Sequence, residues 1–331
     1  MTLEATSLFT SAAASGLGAR LQVAQTCDVD EQAALLQGWN QNYEQISSGP
    51  FQGSVQTLSL GPILALQEFT NQALHQTGEL GKGQVAVGLP LELQGNTMFC
   101  NQACSLEHAI VFSGETPFEF VSPGGLKILN FVVDAHSLHS CFTPGEYDAL
   151  LAQLEKPHLR TVSAHEKKRL PILLADAQET MARLPEAGLQ EGPVANMVHD
   201  LLSGVASVLL DGMGSDVQES LCYQRRANIV SMARDQVVGS GADGSATVES
   251  LCKELAVSRR ALQYSFQEVL GISPQNYLRA VRLNGARRAI KQSSSVSDAA
   301  AAWGFWHFGR FSQEYKALFG ELPSQTAKRF H

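Results

Sequence analysis

Residues 262–274, LQYSFQEVLGISP, return forty-nine positions later as residues 311–323, FSQEYKALFGELP. In both copies three large apolar residues are spaced four apart, and a glycine and a proline follow at matching positions. This spacing places the apolar side chains on one face of a helix, and glycine commonly ends such a helix. The repeat therefore predicts two similar amphipathic helices, with inward-facing Leu262, Phe266 and Leu270 in the first and Phe311, Tyr315 and Phe319 in the second.

A shorter helix is predicted before each copy. Cys252 and Ala256 correspond to Ala300 and Gly304, forty-eight positions later. A small residue at the first position of each pair lets two helices cross closely, and glycine at the second permits a turn with positive φ. We therefore predict two helix-turn-helix units, the second with a turn that is one residue longer.

The segment Ser273–Lys291 joins the two units and is predicted to be a helix with a basic face. A helix of this length spans about 27 Å, close to the ~34 Å between successive major grooves on one side of DNA. One helix-turn-helix pattern alone is a weak signal, but two copies joined by a basic helix are specific for DNA binding. The cations of the segment are Arg279, Arg282, Arg287, Arg288 and Lys291.

Charge is unevenly distributed along the chain. Residues 221–331 contain 15 Lys and Arg against 8 Asp and Glu, whereas residues 1–220 contain 9 against 24. A basic C-terminal third on an acidic body is typical of a protein with a polyanionic partner such as nucleic acid. The alternative is a chance clustering of solvated charges, and the repeat favours the first interpretation.

Several short motifs accompany the repeat, namely SRRALQ at 258–263, GISP at 271–274, YLR at 277–279, RL at 282–283, ARR at 286–288 and the stretch from Gly304-Phe305 to Pro323. With the double unit, they resemble the AraC/XylS family of transcriptional regulators over about residues 222–330. Within that family, AAAWGFWH at 300–307 and GELPS at 320–324 look like the ethanolamine-operon-regulator subgroup. The resemblance implies sequence-specific binding of double-stranded DNA.

Side chains near the start of a recognition helix contact bases in the major groove. In the first unit the outward-pointing candidates are Arg259, Arg260, Gln263 and Tyr264, and the resemblance implies that the last three contact bases. Arginine suits guanine O6 and N7, and glutamine suits adenine N6 and N7. A phosphate contact is an equal alternative for Arg259, and a phosphate or sugar hydrogen bond is favoured for Tyr264.

In the second unit the equivalent candidates are His307, Phe308, Arg310 and Gln313, with His307 and Arg310 the strongest. Trp306 is explained equally well by packing or by DNA contact. Phe308 makes this surface less polar than the family pattern, which favours contacts to thymine methyl groups or a unit that mainly grips the backbone. The predicted DNA-backbone contacts lie between the units, at Arg279, Arg282, Arg287 and Arg288. We expect some of these arginines to contact phosphate and others only to be solvated or to cap a helix.

Residues 28–43 carry a mixed helical pattern, and from Phe51 the chain contains short apolar or alternating runs separated by Gly, Pro and Asn. Such runs predict an antiparallel sandwich or small barrel, and the family resemblance implies a cupin-like one. The predicted strands are Ser54–Leu60, Ile63–Phe69, Gln84–Leu89, Leu106–Phe112, Phe118–Val121 and Leu126–Val133.

From residue 144 the apolar period lengthens and predicts helices over Pro144–Leu154, Ala164–Leu184 and Pro193–Leu210. The one-sided stripe of the last helix fits a buried core and a dimer face equally well. The expected fold class is therefore α+β. It comprises a β-rich effector or dimerisation domain at 1–143, a helical dimerisation segment at 144–211, a linker at 212–221 and the double helix-turn-helix domain at 222–331.

We recognise no catalytic or cofactor-binding constellation in the N-terminal part. His75-x3-Glu79 and His136-x2-His139 are weak metal patterns, and the paired histidines of a cupin metal centre are missing. The pair Cys100-x3-Cys104 fits ordinary thiols better than a redox sensor. We therefore expect neither an enzyme nor a bound metal or cofactor; the alternative is a cupin-like metal-dependent enzyme that carries a DNA-binding tail.

Beyond DNA, the resemblance implies a homodimer with four recognition helices on two half-sites, a contact with RNA polymerase, and activation more often than repression. Two alternatives remain open for the N-terminal domain: it senses a small-molecule effector, or the dimer is constitutive. No run approaches the ~18 apolar residues of a membrane span, six cysteines are too sparse for a disulfide scaffold, and no signal peptide is recognised. A cytoplasmic protein with no membrane partner is expected.

Overall fold

The computed structural model describes residues 12–13, 20–36, 38–183, 191–210, 221–240, 246–292 and 295–331, and it has a mixed α+β fold with a β-rich N-terminal domain. Within these ranges the strands form two antiparallel sheets. The strands are β1 (Ala12–Ala13), β2 (Arg20–Thr26), β3 (Trp39–Gln45), β4 (Gly53–Leu60), β5 (Ile63–Thr70), β6 (Leu74–Leu80), β7 (Gln84–Glu92), β8 (Met98–Phe99), β9 (Gln102–Ala103), β10 (His108–Ser113), β11 (Phe118–Ser122), β12 (Leu126–Asp134) and β13 (His158–Thr161).

One sheet has eight strands in the order β1-β2-β4-β5-β12-β7-β10-β13, and the other has five in the order β3-β6-β11-β8-β9. Alternation along β12 shows how they pack. Ile128 and Val132 join a cluster with Phe112, Phe118 and Phe120 between the sheets, whereas Leu129, Phe131 and Val133 face helices on the other side. The eight-stranded sheet is therefore buried on both faces.

All six predicted strands are present, with ends that differ by up to three residues. The mixed pattern around residues 28–43 resolves into two elements, helix α1 (Val29–Leu35) followed by β3. Asp28 caps α1 by accepting from the N–H groups of Asp30 and Glu31, and Gly38, at φ 83°, turns the chain into the strand. The short helix hides the alternation of β3 from a periodicity analysis.

Three helices cover the eight-stranded sheet: α2 (Pro144–Gln153), α3 (Ala164–Arg183) and α4 (Glu191–Leu210), which follow a 3-10 helix at Ala135–Cys141. Pro171 lies inside α3 and does not end it. The apolar stripe of α4 is buried in the same cluster as the sheet, and Val205, Val208 and Leu209 are fully enclosed. The core interpretation of this stripe is therefore confirmed, while dimerisation through the segment stays a prediction.

The C-terminal domain is helical and contains α5 (Leu221–Ser240), α6 (Val248–Glu254), α7 (Arg259–Leu270), α8 (Pro274–Gln292), α9 (Val296–Ala302), α10 (Phe308–Phe319) and α11 (Pro323–Phe330). The inward residues of both copies of the repeat are buried in one core. That core also contains Ile46, Met98 and Val121 from the β-rich domain, at or beside the five-stranded sheet. The C-terminal helices thus pack on the outer face of that sheet.

Most of the predicted linker at 212–221, and most of the glycine-rich stretch at 239–244, fall on residues that the structure does not describe. Among the helices described, none is both long enough and apolar enough to span a bilayer.

Candidate nucleic-acid interface

Helices α6 and α7 form the first helix-turn-helix unit. Ala256 adopts φ 51° in the turn, a left-handed conformation that a non-glycine residue seldom takes. Ser258 then caps α7 by accepting from the N–H of Ala261, and Gly271 ends the helix at φ 70°. The predicted turn and the glycine end are both confirmed, and the turn takes a positive φ although its residue is alanine.

Helices α9 and α10 repeat this geometry in the second unit. Gly304 occupies the turn at φ 79°, and Gly320 ends α10 at φ 76°. Helix α8 joins the units over nearly the same residues that the sequence predicted for the connecting helix. Trp303 lies directly against Gly285 of α8, so a side chain at Gly285 would collide with the indole ring. The close contact between α8 and the end of α9 therefore depends on glycine at position 285.

The predicted base-contacting residues are on the surface. Arg259, Arg260 and Gln263 on α7 are exposed, as are His307, Arg310 and Gln313 of the second unit. The aromatic candidates are also accessible, with Tyr264 59% exposed and Phe308 46% exposed. Trp306 is 74% exposed, so packing does not explain it in this structure.

A groove of about 420 Å³ lies between the two units, and we call it the central groove. It brings together Arg259 of α7, Arg279 and Arg282 of α8 and Arg310 of α10 with Trp306 and His307. Two carboxylates balance part of this charge. Glu249 lies 3.2 Å from Arg259, and Glu314 lies 2.8 Å from Arg310 and 3.6 Å from Arg279. Exposed pairs of this kind are worth little, so a phosphate can displace them at small cost.

A second basic groove, the α5–α7 groove, lies on the other side of the first recognition helix. It is lined by Arg260 and Tyr264 together with Arg225 and Arg226 of α5. Arg226 forms an ion pair with Glu268, and its guanidinium lies 5.5 Å from the centre of the Tyr264 ring. Neither α5 arginine was predicted from the sequence, although their adjacency at the start of the basic region was a visible signal.

The four predicted DNA-backbone arginines divide between two surfaces. Arg279 and Arg282 line the central groove. Arg287 is 4% exposed and instead pairs with Asp28 and Glu321, each at 2.9 Å. Arg288 pairs with Glu44 at 2.6 Å. Arg287 and Arg288 were predicted as candidate backbone contacts, but they lie on the face of α8 that packs against the β-rich domain, where each pairs with carboxylates of the chain. Phosphate contacts from Arg279 and Arg282 stay a prediction.

The burial of these charges changes the pKa of the acids that meet them. Burial alone raises the pKa of Asp28, but Lys291 and Arg287 outweigh it and lower the pKa to about 2. Burial raises the pKa of Glu44 above its usual range, against the opposing effect of Arg288. Asp28 is thus a firmly ionised partner in the contact between the domains.

The histidine of the first weak metal pattern is held by hydrogen bonds. His75 is buried, with Nε2 2.7 Å from Glu119 Oε1 and Nδ1 2.8 Å from the Tyr277 hydroxyl. Among the residues that the structure describes, no group of three or more His, Cys, Asp or Glu side chains is placed to hold a metal ion. Burial raises the pKa of both Cys100 and Cys104 to about 12, which disfavours the reactive thiolate.

A small cavity lies between the two sheets of the β-rich domain. Its volume of about 30 Å³ is that of one or two water molecules. Burial raises the pKa of Glu68 to about 7, although the hydrogen bonds from Gln32 and Tyr43 act in the opposite direction. Within the described part of the chain, the indole N–H of Trp39 has no hydrogen-bond partner here. The residues that line the cavity therefore include an unsatisfied indole donor and a carboxyl group, together with the apolar rings of Phe99, Phe112, Phe118 and Phe120.

A family profile described as "Helix-turn-helix domain" matches residues 251–329, which cover both units except for the first three residues of α6. The chain is similar to the probable thc operon regulatory protein of Rhodococcus erythropolis, at 34% identity over 42% of this chain and 45% of that protein. It is also similar to XylDLEGF operon transcriptional activator 2 of Pseudomonas putida, at 30% identity over 37% of this chain and 79% of that protein. Another Pseudomonas putida protein, the XylDLEGF operon transcriptional activator, is 30% identical over 38% of this chain and 40% of its own length.

The chain thus spans less than half the length of two of these three relatives. Among solved structures, the AraC-like transcriptional activator CuxR is similar at 16% identity and a TM-score of 0.36, with 80% of this chain and 86% of that chain covered.

Proposed function

The chain belongs to the AraC/XylS family of DNA-binding transcriptional regulators. We propose that it regulates transcription as a homodimer that binds two DNA half-sites. Each chain contributes two recognition helices, α7 and α10. The observation that carries the proposal is the central groove, where four arginines from α7, α8 and α10 line one cleft between the two units. Such a cleft suits the phosphate backbone between two neighbouring major grooves.

Base recognition in this proposal belongs mainly to the first unit. Arg260 and Gln263 are exposed on α7 and can pair with guanine and adenine edges. Arg259, Arg279 and Arg282 line the central groove and are assigned to phosphates. In the second unit His307 and Arg310 contact bases or backbone, and Trp306 and Phe308 supply apolar contacts to thymine methyl groups.

Dimer formation would raise affinity because the second half-site is bound at a high effective concentration. Because the apolar stripe of α4 packs within the chain, we assign dimerisation to other surfaces of the helical segment at 144–211 and of the β-rich domain at 1–143. Activation through contact with RNA polymerase, and the ethanolamine-operon-regulator subgroup, are parts of the same proposal and rest on the family resemblance.

We also propose that the β-rich domain is cupin-like and binds a small-molecule effector between its sheets. The free Trp39 N–H calls for a hydrogen-bond acceptor on the ligand, and the phenylalanine walls call for an apolar body. The cavity must expand to admit such a molecule, because it now holds only about 30 Å³. A constitutive dimer is the competing arrangement. Thermal shifts of the purified chain with small carboxylates or alcohols, lost in Trp39→Phe, would separate the two.

The central test is selection of binding sites from sheared genomic DNA of the source at ~150 mM salt, where non-specific phosphate binding is weak. We expect the full chain to recover a motif of two half-sites. Arg260→Ala should erase preference at defined positions, and Arg310→Ala tests whether the second unit contributes. Lys316→Ala is the matched control, since Lys316 is exposed on α10 but does not line the central groove. Absence of any motif, with and without added metabolites, would contradict the proposal.

A further inference from the structure

We propose that Gln45, a residue of the β-rich domain, is a positioning residue for the second recognition helix. It fixes where α10 lies relative to α7, and so it determines whether the second unit can discriminate between bases. This inference rests on the proposed DNA-binding function, but Gln45 itself touches no DNA in it.

Contacts at the end of α10 are the first evidence. The last carbonyl groups of a helix have no partner within the helix. The Leu318 carbonyl, one residue from the end of α10, accepts hydrogen bonds from Gln45 Nε2 at 2.7 Å and from the Gly49 N–H at 2.9 Å. Gln45 is 1% exposed, so water does not compete for this contact. The β-rich domain therefore caps the second recognition helix.

Gln45 is itself held rigidly in the interface. Its backbone N–H donates to Asn284 Oδ1 at 3.1 Å, and its carbonyl accepts from Asn284 Nδ2 at 2.9 Å. Its side-chain amide also donates to the carbonyls of Ser47 and Gly49. Asn284 lies on α8, the helix shared by both units. One residue of the β-rich domain thus joins the connecting helix to the end of α10.

A buried ion pair reinforces the same placement. The Arg287 guanidinium lies 2.9 Å from Asp28 of the β-rich domain and 2.9 Å from Glu321, which directly follows the Gly320 end of α10. It also lies 4.6 Å from the centre of the Phe319 ring, on the last turn of α10. Moving α10 would draw Glu321 away from Arg287, which is 4% exposed, and weakening the pairing of a buried charge is costly.

The first recognition helix is held differently by the β-rich domain. At its C-terminal end the Glu268 carbonyl accepts from Asn96 Nδ2 at 3.3 Å, and this hydrogen bond is exposed. A longer and solvated contact constrains a helix less than a short and buried one. Gln45 and Asn96 therefore provide a matched pair, each at the end of one recognition helix. We expect Gln45 to constrain α10 more strongly than Asn96 constrains α7.

Loss of the contacts of Gln45 should lower the discrimination between bases more than the overall affinity for DNA. A correct base contact discriminates against a wrong base by roughly 5- to 150-fold, and it requires that side chain and base edge align. Phosphate contacts are less demanding in geometry and survive small displacements. Without Gln45 the second unit would keep its charge but lose its alignment.

The test uses the full chain and the motif that the wild type selects. Gln45→Met keeps the side-chain volume but removes both amide N–H donors, and with them the contacts to the carbonyls of Leu318, Ser47 and Gly49. Asn96→Ala is the matched variant. We expect Gln45→Met to lower base discrimination about fivefold or more at the positions contacted by α10, and to leave the α7 positions unchanged. Asn96→Ala should leave the α10 positions unchanged. The Arg310→Ala footprint identifies the α10 positions.

Unchanged discrimination in Gln45→Met, or an equal loss at both sets of positions, would overturn the inference. If Gln45→Met does not fold, as judged by its thermal transition, Asp28→Asn replaces it and the same pattern is expected. A wild type that selects no motif would refute the proposed function instead, so the two failures are distinguishable. A wild-type motif with no preference at the α10 positions also overturns the inference, because there is then nothing to position.

Discussion

The side-chain amide of Asn284 forms two hydrogen bonds with the backbone of Gln45, 239 residues away in the sequence. Oδ1 accepts from the N–H and Nδ2 donates to the carbonyl, as the backbone of a neighbouring strand would do. Gln45 is the last residue of β3, an edge strand of the five-stranded sheet. A helix of the DNA-binding domain thus satisfies the end of that edge.

Asn284→Ala should destabilise the chain by about 2–4 kcal/mol, because two buried backbone groups lose their partners. The measurement is the free energy of unfolding from urea denaturation. Asn276→Ala on the same helix is the control, since Asn276 is exposed. Equal unfolding free energies for the two variants would contradict this account of the interface.

Asp28→Asn should cost about 2–3 kcal/mol, because it leaves the buried Arg287 with only one of its two carboxylate partners while an asparagine still caps α1. The folded pKa of Asp28 is about 2 against 3.8 unfolded, so its contribution is complete above pH 4 and is lost as the pH falls towards 2. The difference between wild type and variant should therefore shrink between pH 4 and pH 2. A difference that is constant over this range would rule out the ion pair as its source.

Glu68→Gln should have the opposite pH dependence. The pKa of Glu68 is raised from 4.5 to about 7 in the folded chain, so folding favours the protonated form. The effect of Glu68 on the free energy of unfolding is absent below pH 4, and it grows into a destabilisation of about 3 kcal/mol by pH 8. Thermal melts should show the variant more stable than wild type at pH 8 and similar to it at pH 4. A variant that is less stable at pH 8 would argue against a buried, protonated Glu68.

Gly320→Ala and Gly271→Ala form an internal comparison supplied by the repeat. Both glycines have positive φ, 76° and 70°, so alanine meets the same backbone strain of about 1 kcal/mol at each. At Gly320 a new Cβ would also lie 2.9 Å from Pro50 of the β-rich domain, whereas nothing lies within 4 Å at Gly271. Gly320→Ala should therefore be clearly more destabilising in thermal melts. Similar losses of stability in the two variants would mean that Pro50 moves away from the new Cβ at little cost.

Arg279→Ala and Arg260→Ala should weaken DNA binding in different ways. Removing one phosphate contact at Arg279 should weaken all sequences alike and reduce the slope of log K against log salt by about 0.9. Removing Arg260 should cost about 1–3 kcal/mol and relax the preference at one base pair. Titrations of specific and scrambled duplexes at several salt concentrations measure both effects. A position-specific loss from Arg279→Ala would contradict its assignment to the backbone.

The local features of the C-terminal domain could be predicted because they depend on neighbours in the sequence. Residues three or four apart share a helix face, and a glycine such as Gly271 or Gly320 ends a helix by its own backbone freedom. The strands with clear alternation, such as Gly53–Leu60, were predictable for the same reason. The strand Trp39–Gln45 was not, since a short helix and a tight turn precede it within about ten residues.

Helical periodicity is enough to predict the two helix-turn-helix units, the basic helix between them and the outward-facing residues of each recognition helix. Which arginines of the basic helix are accessible depends on tertiary packing instead. Arg279 and Arg282 line the central groove, whereas Arg287 and Arg288 meet Asp28 and Glu44. A charged residue looks the same in the sequence whether it faces solvent or a buried carboxylate. Asp28, one of the two carboxylates that pair with Arg287, lies 259 positions away, and only the packing of the β-rich domain on α8 brings them together.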